Sequence, residues 1–340
     1  MPRHLHDRVA IITGGGAGLG RSHSLELARQ GARVVVNDLG PGACEVAREI
    51  RAAGGEAIEF VGDVTRPQDM QDLAALAVER FGCIDILVNN AGILRDRSFA
   101  KMSLEDFRLV LDVHVMGAVH ATKAVWGHMQ SRGYGRIVMT TSSSGLYGNF
   151  GQANYSAAKM ALVGLMQTLS LEGAKHGIRV NCLAPTALTA MTDGLLDEDA
   201  ARLLAPECVS PGLVALVAES APTRLILLAG AGSFEAADIT MTHGVHLGGA
   251  HDPVEQLCAR IDELRARADM LVPGSAWEQA RHEIAKARGF TGEATGAATV
   301  ARPVQAAQSI PREGAGPAVQ PGPAPAPCLR PDTAQRNDSS

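Results

Sequence analysis

The chain has 340 residues, enough for one large α/β domain with an extension, and 46% of them are hydrophobic, ample for a sizeable core. Its 31 basic and 36 acidic residues leave a net charge of −5, which argues against a nucleic-acid or anionic-membrane binder and leaves a small neutral-to-acidic ligand open. No apolar run approaches the roughly 20 residues that a bilayer span needs.

The amino terminus, MPRHLHDRVAII, enters a strand within about ten residues and has no apolar stretch followed by a cleavage site, so no signal peptide is expected. Cys44, Cys83, Cys182, Cys208, Cys258 and Cys328 are scattered without CxxC spacing. That scatter argues against a disulfide framework or a thiolate metal site and points to a reducing, cytoplasmic setting. The final residues, NDSS, are not a peroxisomal address.

Val9–Thr13 reads as a buried strand that opens into Gly14-Gly15-Gly16-Ala17-Gly18-Leu19-Gly20 and then a helix from Arg21 to Gln30. Strand, glycine turn and helix in that order bring a backbone close to a pyrophosphate, and the helix amino terminus supplies N–H donors. Thr13, Gly14, Gly18, Leu19 and Gly20 are the candidate cofactor contacts on this turn. The spacing is GxxxGxG rather than GxGxxG, a weak signal alone, but its context strengthens it. Arg33–Asp38 is a second buried strand ending in an acid eighteen residues after Gly20, where a carboxylate meets the adenosine ribose hydroxyls. A 2′-phosphate there would face a like charge with no lysine or arginine inside the loop, so NAD is expected over NADP.

Glu56–Val64 is a third strand, with Asp63 and the Val64 backbone placed to reach the adenine edge. Ile84–Gly92 is a fourth, whose exit offers Asn90, Ala91 and Gly92 to the cofactor. Strands recurring every 25 to 50 residues with helices between them predict a parallel, doubly wound sheet. A helix is expected from Ser103, which with Asp106 forms a capping-box arrangement, through Gln130, and it contains His114.

Gly135–Ser142 reads as a buried strand that delivers the Ser142 hydroxyl to the carboxyl end of the sheet. Tyr155 and Lys159 follow, four residues apart, so that on a helix they share one face. A free phenol titrates near about 10 and needs about 4 kcal/mol of help to carry protons at neutral pH. A cation about 4 Å away at an effective dielectric of about 20 is worth roughly that much, which predicts that Lys159 acidifies Tyr155. A hydroxyl donor, an acidified phenol and a lysine make a carbonyl-reduction site.

The helix from Tyr155 to Lys175 is apolar on more than one face, which predicts cover on both sides, one of them a second subunit. Gly177–Thr186 is a further strand, with Pro185 and Thr186 at its exit where a nicotinamide carboxamide is held, and Thr189 and Thr192 in the loop beyond. The stretch to Ser220 is expected to cover the substrate, and Thr223–Gly232 is a seventh strand. Pro253–Leu271 and Ala276–Arg288 have helical composition. Ala301–Ser340 holds eight of the seventeen prolines and no aromatic residue, so it reads as a disordered tail. The expected organisation is a catalytic domain over residues 1–250, a helical extension over 251–290 and a tail over 291–340. His243, His246 and His251 fall close together, but the glycines between them and the lack of a clear fourth ligand favour a polar loop over a metal site.

With TGGGAGLGR, Asp38, NNAG, Ser142 and Tyr155-x-x-x-Lys159 in order, the chain resembles the short-chain dehydrogenases/reductases over about residues 7–250. VVVNDLG at 34–40, NNAGILRDRSFAKMS at 89–103 and SGLYGNFGQANYSAAK at 144–159 are similar to the (R)-3-hydroxyacyl-CoA dehydrogenase part of type 2 multifunctional β-oxidation enzymes. The resemblance implies a Rossmann-like, seven-stranded parallel sheet with helices on both faces, Tyr155 as acid/base, Lys159 on the cofactor ribose, Ser142 on the substrate oxygen, and a homodimer or homotetramer. The family usually has an asparagine where this chain has His114, a histidine that the multifunctional subgroup tends to share, so His114 joins Ser142, Tyr155 and Lys159 as a candidate catalytic residue, with a plain helix residue as the alternative. The reaction implied is NAD-dependent interconversion of a secondary alcohol and a ketone, on a 3-hydroxyacyl-CoA-type substrate; Arg95 and Arg97 are candidates for a CoA phosphate or, equally, for surface ion pairs. A hydroxysteroid or other bulky alcohol is the alternative substrate, and an idle NAD-binding scaffold the alternative function.

Overall fold

The structure, a computed structural model, describes residues 4–187 and 203–289. The described residues fall into two compact units, one running through Ala237 and one beginning at Asp238. In the first unit, strand and helix alternate: β1 (Val9–Thr13), α1 (Gly18–Arg29), β2 (Arg33–Asp38), α2 (Gly42–Ala52), β3 (Ala57–Val61), α3 (Pro67–Phe81) and β4 (Ile86–Asn89). Then come α4 (Leu104–Leu111), α5 (Gly117–Arg132), β5 (Gly135–Thr140), α6 (Ser143–Tyr147), α7 (Ala153–Gly173), β6 (Ile178–Thr186), α8 (Ser210–Val217), β7 (Ile226–Gly230) and β8 (Ser233–Ala237).

The strands form one sheet in the order β3-β2-β1-β4-β5-β6-β7-β8. All neighbours are parallel except β7 and β8. The order reverses between β1 and β4, and the crevice beyond the carboxyl ends at such a reversal is where a doubly wound sheet binds its ligand. Because side chains alternate along a strand, β1 sends Val9 and Ile11 to one core and Ala10 and Ile12 to the other. The first core packs under α3, α5 and α7 through Met70, Leu73, Val125, Leu162 and Met166. The second packs under α1, α2 and α8 through Leu27, Val46, Ile50, Leu213 and Leu216. Continuous apolar strands such as VAIIT and RVVV are what a sheet covered on both faces requires.

Three sequence expectations are corrected. The sheet has eight strands rather than seven, because Ala231 and Gly232, both at positive φ, turn the chain back after β7 and pair Gly230 with Ser233 in a hairpin. The helix expected over Ser103–Gln130 is interrupted at Asp112–Met116, where a π-turn inserts a residue and turns His114 inward. The helix expected over Pro253–Leu271 is two short pieces, α9 (Pro253–Ala259) and a 3₁₀ turn at Glu263–Arg265.

The second unit also contains α10 (Ala276–Gly289). A backbone bridge between Met241 and Leu271 and a hydrogen bond from Thr242 Oγ1 to Leu264 O, 2.8 Å, hold it together. His243 stacks against His282 with ring centroids 5.1 Å apart, and among the described residues no three His, Cys, Asp or Glu side chains converge on a point that could hold a metal. Also among the described residues, no helix is long and apolar enough to cross a membrane. Thr189, Thr192 and the expected tail lie outside the described residues.

Candidate active site

The crevice is built from the ends of β1, β2, β4 and β5. At β1, Thr13 is buried and its hydroxyl donates to Val88 O, 3.3 Å, while accepting from the N–H groups of Asn90, 3.1 Å, and Ala91, 3.2 Å. Asn90 Nδ2 donates to Thr13 O and to Gly14 O, 3.0 Å. These bonds staple the strand ends together and fix the glycine turn. Asn90 and Thr13, expected as cofactor contacts, thus act first on the backbone that frames the crevice.

On that turn a Cβ at Gly20 would fall 1.9 Å from Gly14 O, so no side chain fits where α1 meets the turn. Leu19 packs into the second core, and Gly14 and Gly18 take positive φ. α1 begins after Ala17 with no side-chain cap and no acid in its first turn, which leaves its leading N–H groups for an anion. Asp38, half-buried, accepts from Gly16 N, 2.9 Å, and from Gly40 N, 3.2 Å, which sets its carboxylate against the glycine turn. An acceptor beside an uncapped helix start, with the turn too tight for side chains, fits the ribose and pyrophosphate of a nicotinamide dinucleotide.

The remaining expected contacts divide. Asp63 Oδ1 accepts from Thr65 N and Thr65 Oγ1, both 2.8 Å, so this carboxylate oxygen closes its own turn. Val64 is buried, and its carbonyl lies 3.0 Å from His120 Nδ1. Pro185 and Thr186 end β6 in register with Ala229 and Gly230.

Beyond β5, Ser142 is buried and caps α6, its Oγ accepting from Ser144 N at 3.1 Å. Tyr155 lies in the first turn of α7 and Lys159 one turn later, as the spacing predicts. Burial pushes the Tyr155 phenol up, the Ser142 hydrogen bond works against that rise, and the negative charge of Asp96 adds to it. The Lys159 ammonium lies 5.4 Å from the Tyr155 ring centroid and donates to Thr140 O at 2.6 Å. It is itself buried, and desolvation pulls it down to about 7. Lys159 is not among the groups that move the Tyr155 phenol, contrary to the expectation that it acidifies it. Burial, rather than the neighbouring ammonium, governs the phenol in the protein itself.

His114 is brought to the same place. Its ring meets that of Tyr155 edge-on, centroids 5.3 Å apart at 85°, and its Nε2 lies 2.8 Å from Ile93 O and 3.0 Å from Ile93 N. A Cβ at Gly92 would fall 2.3 Å from the His114 ring, so this glycine is what admits an imidazole here. Burial first and the Lys159 charge second lower His114 to about 3, which keeps it neutral at ordinary pH. Its ring packs against Tyr155 and is tied to the loop at Ile93.

Four participants escaped the sequence reading. Thr140 contributes only its carbonyl, to Lys159. Thr141 Oγ1 donates to Lys159 O, 2.7 Å, and so locks α7 to β5. Asn154, fully buried, accepts from Tyr155 N, 2.8 Å, and donates to Arg95 O, 3.0 Å. Asp96 accepts from Gln152 Nε2, 2.7 Å, beside the phenol. None of these carries a local sequence signal.

Known proteins resemble this chain in sequence and fold. A family model described as short chain dehydrogenase matches residues 8–200. A short-chain type dehydrogenase/reductase of Mycobacterium tuberculosis is 44% identical over 271 residues, covering 76% of this chain and 94% of that protein. The peroxisomal multifunctional enzyme type 2 of Mus musculus is 46% identical over 229 residues, 64% of this chain, but the chain spans only 31% of that enzyme's length. Among solved structures, the full-length peroxisomal multifunctional enzyme type 2 of Drosophila melanogaster superposes with a TM-score of 0.73 at 35% identity, over 84% of this chain and 50% of that one. A 7α-hydroxysteroid dehydrogenase complexed with NADH and 7-oxo glycochenodeoxycholic acid superposes with a TM-score of 0.63 at 30% identity, over 68% of this chain and 95% of that one.

Proposed function

Because the chain belongs to the short-chain dehydrogenase family, we propose that it is an NAD-dependent oxidoreductase interconverting a 3-hydroxyacyl thioester and its 3-oxo form. The observation that carries the reading is the convergence of Ser142, Tyr155 and Lys159 at the carboxyl end of β5, beside an uncapped α1 and an acid at the end of β2. A nicotinamide dinucleotide, when bound, supplies the hydride acceptor or donor. The chain's own residues handle the oxygen and the proton. Ser142 Oγ donates a hydrogen bond to the substrate oxygen, and the Tyr155 oxygen takes the hydroxyl proton in oxidation and returns it in reduction. Lys159, held by Thr140 O, orients the ribose, and neutral His114 fixes the plane of the Tyr155 ring.

The thioester substrate is supported by the similarity to multifunctional enzymes type 2, which extends over most of the first unit. The likeness to a hydroxysteroid dehydrogenase keeps a bulky cyclic alcohol as the second reading. An NADH-release screen over (R)-3-hydroxyacyl-CoA thioesters, hydroxysteroids and simple secondary alcohols decides between them. Turnover of the thioesters at a kcat/KM at least tenfold above any steroid is expected, and steroid turnover without thioester turnover removes the first reading.

We infer a homodimer or homotetramer from the exposed apolar residues on α4 and α7. Leu104 is 73% exposed, and Leu109, Met160 and Leu171 are also open to solvent. Light scattering that finds only monomer at micromolar concentration removes the inference. A cytoplasmic location rests on the sequence reading alone, and the multifunctional relatives are named as peroxisomal; fractionation of the producing cell distinguishes the two.

A further inference from the structure

The rim of the crevice beside Tyr155 is made of two segments, residues 95–101 and 147–154, joined by three hydrogen bonds. Arg97 N donates to Gly151 O, 2.9 Å; Gln152 Nε2 donates to Asp96 Oδ2, 2.7 Å; and Asn154 Nδ2 donates to Arg95 O, 3.0 Å. Asn154 is the residue before Tyr155, and its side-chain oxygen holds the Tyr155 N–H. The rim is therefore fixed to the residue that carries the proton.

Two features of this rim go unused by the reaction. Phe150 is 92% exposed, Phe99 77% and Tyr147 68%. A single exposed ring is ordinary, but three on two joined segments make an apolar, flat-faced patch. The same segments carry Arg97 and Lys101, both exposed, and neither has an ion-pair or side-chain hydrogen-bond partner among the described residues. Arg95 differs, since its Nε lies 3.7 Å from Asp106 Oδ1. In a chain of net charge −5, two uncommitted cations beside three open aromatic faces form a local positive island.

We propose that this rim binds the nucleotide end of a coenzyme A thioester, with Arg97 and Lys101 on its phosphates and Phe99, Tyr147 and Phe150 offering faces for its adenine ring. The inference rests on the thioester reading of the same crevice and assigns the part of the substrate that the chemistry does not touch. Adenine stacks on any aromatic face, and phosphates need cations, so the rim's two features match the two features of that ligand end. Phe150 is five residues from Tyr155, so its backbone lies at most about 18 Å from that of Tyr155, within the reach of an extended pantetheine arm. A neutral alcohol has no use for the cations.

The test compares (R)-3-hydroxybutyryl-CoA with (R)-3-hydroxybutyryl-pantetheine, which lacks the nucleotide, in the full chain and in an Arg97→Gln/Lys101→Gln double variant and a Phe99→Ala/Phe150→Ala double variant. Wild-type protein is expected to favour the CoA thioester in kcat/KM by more than tenfold. Each double variant is expected to reduce that ratio about tenfold, through KM for the CoA thioester rather than kcat, since surface contacts of this kind are each worth a few-fold. Raising salt should erode the ratio in wild type and not in the Arg97→Gln/Lys101→Gln variant. Turnover of both thioesters with an unchanged ratio in the variants overturns the rim and leaves the thioester reading standing. No turnover of either thioester overturns both. A preference for a carrier-protein thioester that the variants abolish, with the CoA ratio unmoved, replaces the nucleotide by an acidic carrier protein and also overturns the proposal.

Discussion

Tyr155→Phe is expected to lower turnover about a thousandfold while changing nicotinamide dinucleotide affinity less than threefold. General acid–base groups of this kind contribute 10²- to 10⁴-fold, so the middle of that range is the natural size. The ring that remains keeps its edge-on contact with His114 at 5.3 Å and its distance of 5.4 Å from the Lys159 ammonium, so nothing in the packing is lost with the hydroxyl. What is lost is the oxygen proposed to exchange a proton with the substrate. The pH dependence gives a second readout with a definite sign. Burial holds the phenol above its ordinary range, so below that pKa Tyr155 is protonated and ready to donate, and above it the phenolate is ready to accept. Alcohol oxidation should therefore rise with pH in wild type and ketone reduction fall, and both trends should vanish in the residual activity of Tyr155→Phe. Near-wild-type turnover in the variant, measured by NADH formation, would remove Tyr155 from the mechanism.

The parts of this site that were legible in the sequence are those written in local periodicity. VAIIT before a glycine turn, RVVV before Asp38, and a tyrosine four residues from a lysine each carry their geometry within one element, and the structure places β1, α1, β2 and α7 accordingly. The hairpin to β8 was missed because its turn puts Ala231 at positive φ, a conformation that an alanine does not advertise. The π-turn was missed because Asp112–Met116 has an ordinary helical composition, and His114 turns inward only because Gly92 leaves room. The electrostatics were illegible for a different reason. Sequence spacing gives the approach of Lys159 to Tyr155, but desolvation depends on what covers them, and that cover comes from β5, β6 and the loop at Ile93, far apart in the chain. A carbonyl such as Thr140 O belongs to every residue alike, so no residue type could have marked it as the partner of Lys159.

Asp38 carries the second large expectation: wild-type protein should prefer NAD over NADP by at least a hundredfold in kcat/KM, and Asp38→Asn should remove most of that preference. The carboxylate stands at the end of β2 against the glycine turn, where its oxygens accept from Gly16 N at 2.9 Å and Gly40 N at 3.2 Å. A 2′-phosphate brought to the same ribose would meet this negative charge at close range. Two unit charges about 4 Å apart at an effective dielectric of about 20 repel by about 4 kcal/mol, which corresponds to roughly a thousandfold. Relief from a neighbouring cation is missing, since the turn contains no lysine or arginine and Arg21, the residue after it, is held by both carboxylate oxygens of Glu49 at 2.7 and 2.8 Å. Asparagine keeps an oxygen for the Gly16 N–H and removes the charge, so the variant separates repulsion from loop positioning. If charge is what discriminates, NADP use in Asp38→Asn rises towards that of NAD while the thermal midpoint stays within a few degrees of wild type. If wild type already uses the two cofactors equally well, the acid does not face the ribose. The glycine turn would then orient its ligand differently from the way the open α1 terminus and Asp38 together imply.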